Sequence, residues 1–101
     1  MARGTVRIHL VERAWVLGLQ PRRAAASAPH PMARTILERA VPSPSSPAAG
    51  RILTCTVDEA RALLDHFGGL TETLTGLGDP DAAVCAAARD SIRRALLAVG
   101  A

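Results

Sequence analysis

The chain contains no lysine and no tyrosine, and its aromatic side chains are Trp15 and Phe67 alone. With so little aromatic volume, a core has to be assembled from Leu, Ile, Val and Ala, and alanine-rich faces favour close helix packing. All twelve basic residues are arginine. Arginine forks suit carboxylates and phosphates, but a net charge of +3 is a thin electrostatic footprint for a nucleic-acid binder. The basic excess is uneven: residues 1–51 hold eight Arg against two Glu, and residues 52–101 hold four Arg against seven acids. The absence of lysine beside abundant Ala, Gly and Pro reflects a GC-rich coding sequence and carries no function.

Cysteine is scarce as well. Cys55 and Cys85 are far apart, with no C-x-x-C spacing, and each falls at an apolar position where Cys behaves as a small hydrophobe. Two lone buried thiols point to a reduced, cytosolic setting, with a disulfide between them left open. No apolar run reaches transmembrane length, and the stretch from Ala14 to Leu19 is too short for the core of a signal peptide. Residues 1–34 are Arg-rich with a single acid, as in mitochondrial transit peptides. Strand-like alternation and Pro21 argue against that reading.

What is present is a repeated order of elements. Val6, Ile8 and Leu10 alternate with Thr5, Arg7 and His9, the period of a half-buried strand. From Val11 to Gln20 the pattern becomes a short helix with Ala14, Val16 and Leu17 inward, stopped by Pro21. After the connection at 22–28, Pro31 opens a second helix. Its apolar stripe is Ala33, Ile36, Leu37 and Ala40, and Pro42 ends it. Residues 42–50 are rich in Pro and Ser and predict an extended linker without core residues.

The second half begins with Leu53, Cys55 and Val57 alternating with Thr54 and Thr56, again a strand. Either Asp58 caps the following helix or Thr56 and Glu59 form a capping box. Ala60, Leu63, Leu64, Phe67, Leu70 or Thr71, Leu74 and Leu77 make its stripe, and the pair Gly68–Gly69 predicts a kink or a restart. Gly78 suits a C-terminal cap, Asp79 an N-cap and Pro80 the next first turn. A last helix runs to about Val99, with Cys85, Ala88, Ile92, Ala95, Leu96 and Val99 inward and Asp90 set to pair with Arg94.

Shifting the first half by 47 positions places Val6 on Leu53, Ile8 on Cys55, Leu10 on Val57 and Glu12 on Glu59. A shift of 55 places Leu37 to Val41 on Ile92 to Leu96. An internal duplication explains this economically, against the simpler view that two strand-helix-helix units share a polarity pattern. The expected fold is α+β: a small antiparallel sheet with helices packed on one face. It forms one domain of two halves, 4–41 and 51–101, joined by the linker 42–50. Free sheet edges and a small core favour a homodimer.

Chemistry is hard to find. His9, His30, His66 and the two Cys lack ligand spacing, so no metal or cofactor is expected. His66, beside Asp65, reads as a residue of a solvated helix face. Asp58, Glu59, Asp79 and Asp81 have capping explanations, and the chain carries no phosphate loop and no nucleophile setting. No catalytic residue is assigned, and an enzyme is not expected. The leading reading is a cytoplasmic, non-enzymatic accessory or regulatory protein acting through protein contacts, with Trp15, Arg22 and Arg23 as partner-binding candidates and a core role as the alternative for Trp15.

The order strand-helix-helix, seen from Arg51 to Ala98 and again from Gly4 to Val41, resembles the ribbon-helix-helix DNA-binding proteins. The resemblance implies paired strands whose outward residues, here Arg7, His9, Thr54 and Thr56 together with Thr5, read bases in the major groove. It is one of element order. The longer helices, the linker and the acids Asp79 and Asp81 near the last helix start depart from the family pattern. No membrane association is expected in either reading.

Overall fold

In the computed structural model, residues 4–19, 31–44 and 50–100 are described. The first strand, β1 (Thr5–Leu10), leads into a short helix α1 (Glu12–Leu19). A second helix, α2 (Pro31–Leu37), is followed by a two-residue strand β2 (Val41–Pro42). Strand β3 (Arg51–Thr56) runs directly into α3 (Val57–Gly76), and α4 (Asp81–Ala98) closes the chain. The architecture is α+β: a three-stranded antiparallel sheet in the order β1-β3-β2, with helices packed on one face.

The alternation seen in the strands decides which face is covered. Val6, Ile8, Leu10, Leu53 and Cys55 point inward and are buried, while Thr5, Arg7, His9, Thr54 and Thr56 stay exposed. The inward set joins Leu63, Phe67 and Leu74 of α3 and Cys85, Ala88 and Ile92 of α4 in one core. The 47-residue shift makes Arg7 and Thr54 equivalent, and these two residues face each other across the β1–β3 ladder. The helices are less symmetric: α1 and α2 have 8 and 7 residues against 20 and 18 for α3 and α4. The duplication therefore stays a proposal.

Several local expectations are corrected. The second helix stops at Leu37 rather than near Pro42, because the chain turns through Glu38 and Arg39 and then extends. A residue before proline is pushed out of the helical region, and proline is tolerated on a sheet edge. Val41 and Pro42 accordingly pair with Ile52 and Arg51, so the stretch read as linker begins as a strand. Ser43 and Gly50 are buried at its two ends. Val16, Leu77 and Val99, read as inward, are exposed at helix ends and on the outer side of α1. Asp90 lies near Arg89 and Arg93 instead of Arg94, which reaches Ser91. The connection at 22–28 lies outside the described residues.

Helix α3 passes through Gly68 and Gly69 without interruption. Its ends explain why. At the start, Glu59 N donates to Thr56 Oγ1 (3.1 Å) and Thr56 N donates to Glu59 Oε1 (2.9 Å), a complete capping box. Thr56, not Asp58, is therefore the cap. At the end, Asp79 N donates to Leu74 O (2.9 Å) and Gly78 N to Thr75 O (3.0 Å), with Gly78 at φ +68°. These are the two bonds of a Schellman motif. Strong caps at both ends outweigh two unfavourable interior glycines. A Cβ at Gly68 or Gly69 would meet nothing within 4 Å. Replacing either with Ala should therefore raise stability by about 1 kcal/mol in urea denaturation. A loss of stability would mean that the helix bends there.

Candidate interaction surface

The uncovered face of the sheet is a small grid fixed by the strand register. Thr5 stands opposite Thr56, Arg7 opposite Thr54, and His9 opposite Ile52, which in turn faces Val41. The four residues assigned from the ribbon resemblance, Arg7, His9, Thr54 and Thr56, are thus brought together on one open face. Sequence reasoning missed the apolar corner. Ile52 lies two positions before Thr54 and so must share its face, but a two-residue strand carries no periodicity that could reveal Val41, which is 56% exposed.

Arg7 stands apart from most described arginines. Arg13, Arg34, Arg39, Arg51, Arg89 and Arg93 all lie within ion-pair distance of an acid. The Arg7 guanidinium has no such neighbour among the described residues, although it sits midway along the edge strand β1 on the open face. Thr56 has a structural duty as the α3 cap. Thr54 has no side-chain partner among the described residues, and its hydroxyl faces solvent.

Trp15 is held differently from a free anchor. Its indole Nε1 donates to Leu37 O (2.8 Å), the last carbonyl of α2. The Arg51 guanidinium lies over the ring at 3.6 Å, and Arg51 Nε also donates to Glu12 Oε1 (3.1 Å). The half-buried Trp15 thus ties α1 to the end of α2 and to β3. Arg22 and Arg23 lie outside the described residues, so the structure does not bring them to Trp15.

His66 is the clearest correction among the titratable residues. It is buried rather than solvated, with Nε2 3.0 Å from Gly18 O near the end of α1. Its ring meets Phe67 edge-on at 5.6 Å. Two ring donors, one indole and one imidazole, thereby serve carbonyls at the ends of the two short helices, which helix geometry leaves without intrahelical donors.

The acids near the α4 start are also occupied. Arg13 grips Asp81 with both arms, Nε to Oδ1 at 3.2 Å and NH2 to Oδ2 at 2.6 Å. This pairing raises the Arg13 pKa further above its ordinary value, through the hydrogen bond first and the charge second. Asp79 Oδ1 accepts from Asp81 N (2.9 Å), but α4 starts one residue later than expected, so Pro80 and not Asp79 stands at the cap position. Glu59 is held below the usual carboxylate range by the Thr56 backbone N–H and then by Arg39, whose NH2 lies at 2.8 Å. The stabilisation Glu59 provides is present above that usual range and lost as pH falls through its lowered value.

Both cysteines are free and buried, and desolvation pushes each thiol up to about 11. At neutral pH they are protonated and poor nucleophiles. Among the described residues, no group of three or more His, Cys, Asp or Glu is placed to hold a metal ion. No described helix is long and apolar enough to cross a membrane. An open groove of about 460 Å³ runs between α3 and α4, lined by Arg61, Leu64, Asp65, Arg93, Leu96 and Leu97. Its residues belong to two packed helices and converge on no reactive group.

No family model matches the chain, and no curated protein or solved structure matches it.

Proposed function

We propose that this chain is a small non-enzymatic regulatory or accessory protein that works through protein contacts made by the open face of its sheet. The observation that supports this reading is the make-up of that face. Arg7, which has no ion pair among the described residues, stands among threonines and beside the aliphatic pair Ile52 and Val41. A mixture of an arginine with exposed aliphatic area is typical of protein interfaces. Phosphate recognition needs several cations acting together, and among the described residues this face offers Arg7 alone as a permanent charge.

A photoreactive side chain at position 54, in the cell of origin, tests the proposal. One defined protein adduct is expected, weakened when Arg7→Glu is added and absent when the probe sits at Glu72 on α3. Equal labelling from both positions, or none from position 54, would overturn it. Self-association is read in the same preparation by light scattering, where a dimer has twice the 10.5 kDa chain mass.

The DNA-binding reading keeps one specific observation in its favour, the grouping of Arg7, His9, Thr54 and Thr56 on antiparallel strands. Titration of duplex DNA at low and high salt decides it. Binding at low salt that Arg7→Ala abolishes would displace the protein-contact reading. No binding at low salt removes the rival.

A further inference from the structure

The two edges of the sheet are not alike. On one side, β2 is two residues long and contains Pro42, which has no N–H to offer. That edge is blunted in the way sheet proteins avoid unwanted pairing. On the other side, β1 is six residues long, without Pro or Gly, and its register against β3 runs from Thr5↔Thr56 to Leu10↔Arg51 without a bulge. Among the described residues no strand pairs with its outer side. A regular six-residue edge offers a row of backbone donors and acceptors to any extended segment.

We propose that the outer edge of β1 is the docking edge for an extended segment of a partner protein, in which acidic residues alternate with aliphatic ones. This deepens the protein-contact reading and rests on it. Two observations set the pattern. Arg7, at the middle of β1, is exposed and has no acid within ion-pair distance among the described residues, so the residue opposite it on an added strand meets an unneutralised guanidinium. On the other face of the pleat, a recess of about 90 Å³ opens between the end of β1, at Leu10 and Val11, and the short side chains Ala14 of α1 and Ala87, Ala88 and Ser91 of α4. It has room for one aliphatic group. Successive residues of an added strand point alternately to these two faces, so the segment carries acids outward and aliphatics inward.

Charge also argues against a second copy of this chain as the occupant. A β1–β1 pairing that keeps both apolar faces inward sets Arg7 opposite its own copy, or one step either way opposite Thr5 or His9. No such register brings an acid to Arg7, and like charges directly opposite are destabilising.

The test uses three end-capped seven-residue peptides that alternate Val with Glu, Lys or Thr, with binding read by fluorescence anisotropy and amide exchange read across the protein. The Glu peptide should bind at least about ten-fold more tightly than the Lys peptide and slow exchange of the outward-facing amides of β1. Arg7→Glu should reverse the preference, with its NMR spectrum confirming an intact fold, and Arg61→Glu on α3 should leave the preference in place. Failure of all three peptides to bind, a charge preference that survives Arg7→Glu, or protection away from β1 would each overturn the proposal. Adducts from position 54 together with any of these outcomes would leave the protein-contact reading standing and remove the edge.

Discussion

Gly50→Ala is expected to destabilise the protein by about 3–5 kcal/mol, combining backbone strain with a backbone clash. Gly50 has φ +129°, a region that side chains rarely enter. A Cβ there would stand 2.2 Å from Leu10 O and 2.9 Å from Val11 Cα. Both contacts are backbone, so no side chain can rotate away. The position also joins three segments. Gly50 O accepts from Ser43 N (3.0 Å), which closes the connection from β2 to β3, and its flat surface lies against the corner where β1 turns into α1. Gly78 is the internal control. It too has positive φ, at +68°, but a Cβ would meet nothing within 4 Å. Gly78→Ala should cost only about 1–2 kcal/mol from conformation alone. The melting temperature of Gly50→Ala should therefore fall by roughly 15 °C or more, well beyond that of Gly78→Ala. Equal losses for the two variants would mean that the close approach to Leu10 is not maintained in solution.

The same corner shows where sequence reasoning stops. The strands β1 and β3, the stripe of α3 and the cap at Gly78 were legible because each rests on periodicity or on a local bond between near neighbours. Gly50 reads only as the end of a Pro- and Ser-rich stretch, because its neighbour, Leu10, is 40 positions away. Asp81 reads as a helix-start acid for the same reason: its partner Arg13 lies 68 residues earlier. His66 falls on the polar side of α3 by pattern, yet α1 packs over that side and supplies Gly18 O. Trp15 reads from the sequence as an interface anchor or a core residue, and only its contacts to Leu37 and Arg51, which join α1 to α2 and β3, show its tie. Long-range packing, not local propensity, decided each of these residues.

The candidate surface divides along the same line. Alternation alone places Arg7, His9, Thr54 and Thr56 on the outward side of their strands. It does not say that the two strands are neighbours, and it is the antiparallel register that sets Arg7 against Thr54. Nor does it separate Thr56, spent on the helix cap, from Thr54, which has no such duty. The third strand, which adds Val41 to the face and blunts one edge, depends on Pro42 meeting Arg51, a pairing with no signature in either residue.

Phe67→Ala should cost about 3–5 kcal/mol, because it empties the largest fully buried side chain of a core with no other phenylalanine. The more informative experiment pairs this site with Gly18. A Cβ on Gly18 would lie 2.7 Å from Phe67 Cζ and 2.8 Å from Leu37 Cδ1. Helix propensity favours alanine there by about 1 kcal/mol, while overpacking costs roughly 1–3 kcal/mol. The Leu37 contact is the tip of a flexible side chain and can turn away. Leu37 and Phe67 are equally buried, but the ring has no rotamer change that shortens it, so it carries the conflict. Gly18→Ala alone should therefore destabilise. In a Phe67→Leu background the ring tip is gone, the new methyl fills part of the vacated space, and the propensity gain is no longer cancelled. Gly18→Ala should then become neutral or stabilising, a coupling within the range of about 0.5–3 kcal/mol found for residues in contact. Urea denaturation of the four proteins in the cycle measures it. Additivity within about 0.5 kcal/mol would show that α1 moves aside to admit the methyl. In that case the glycine is not what lets α1 lie against α3.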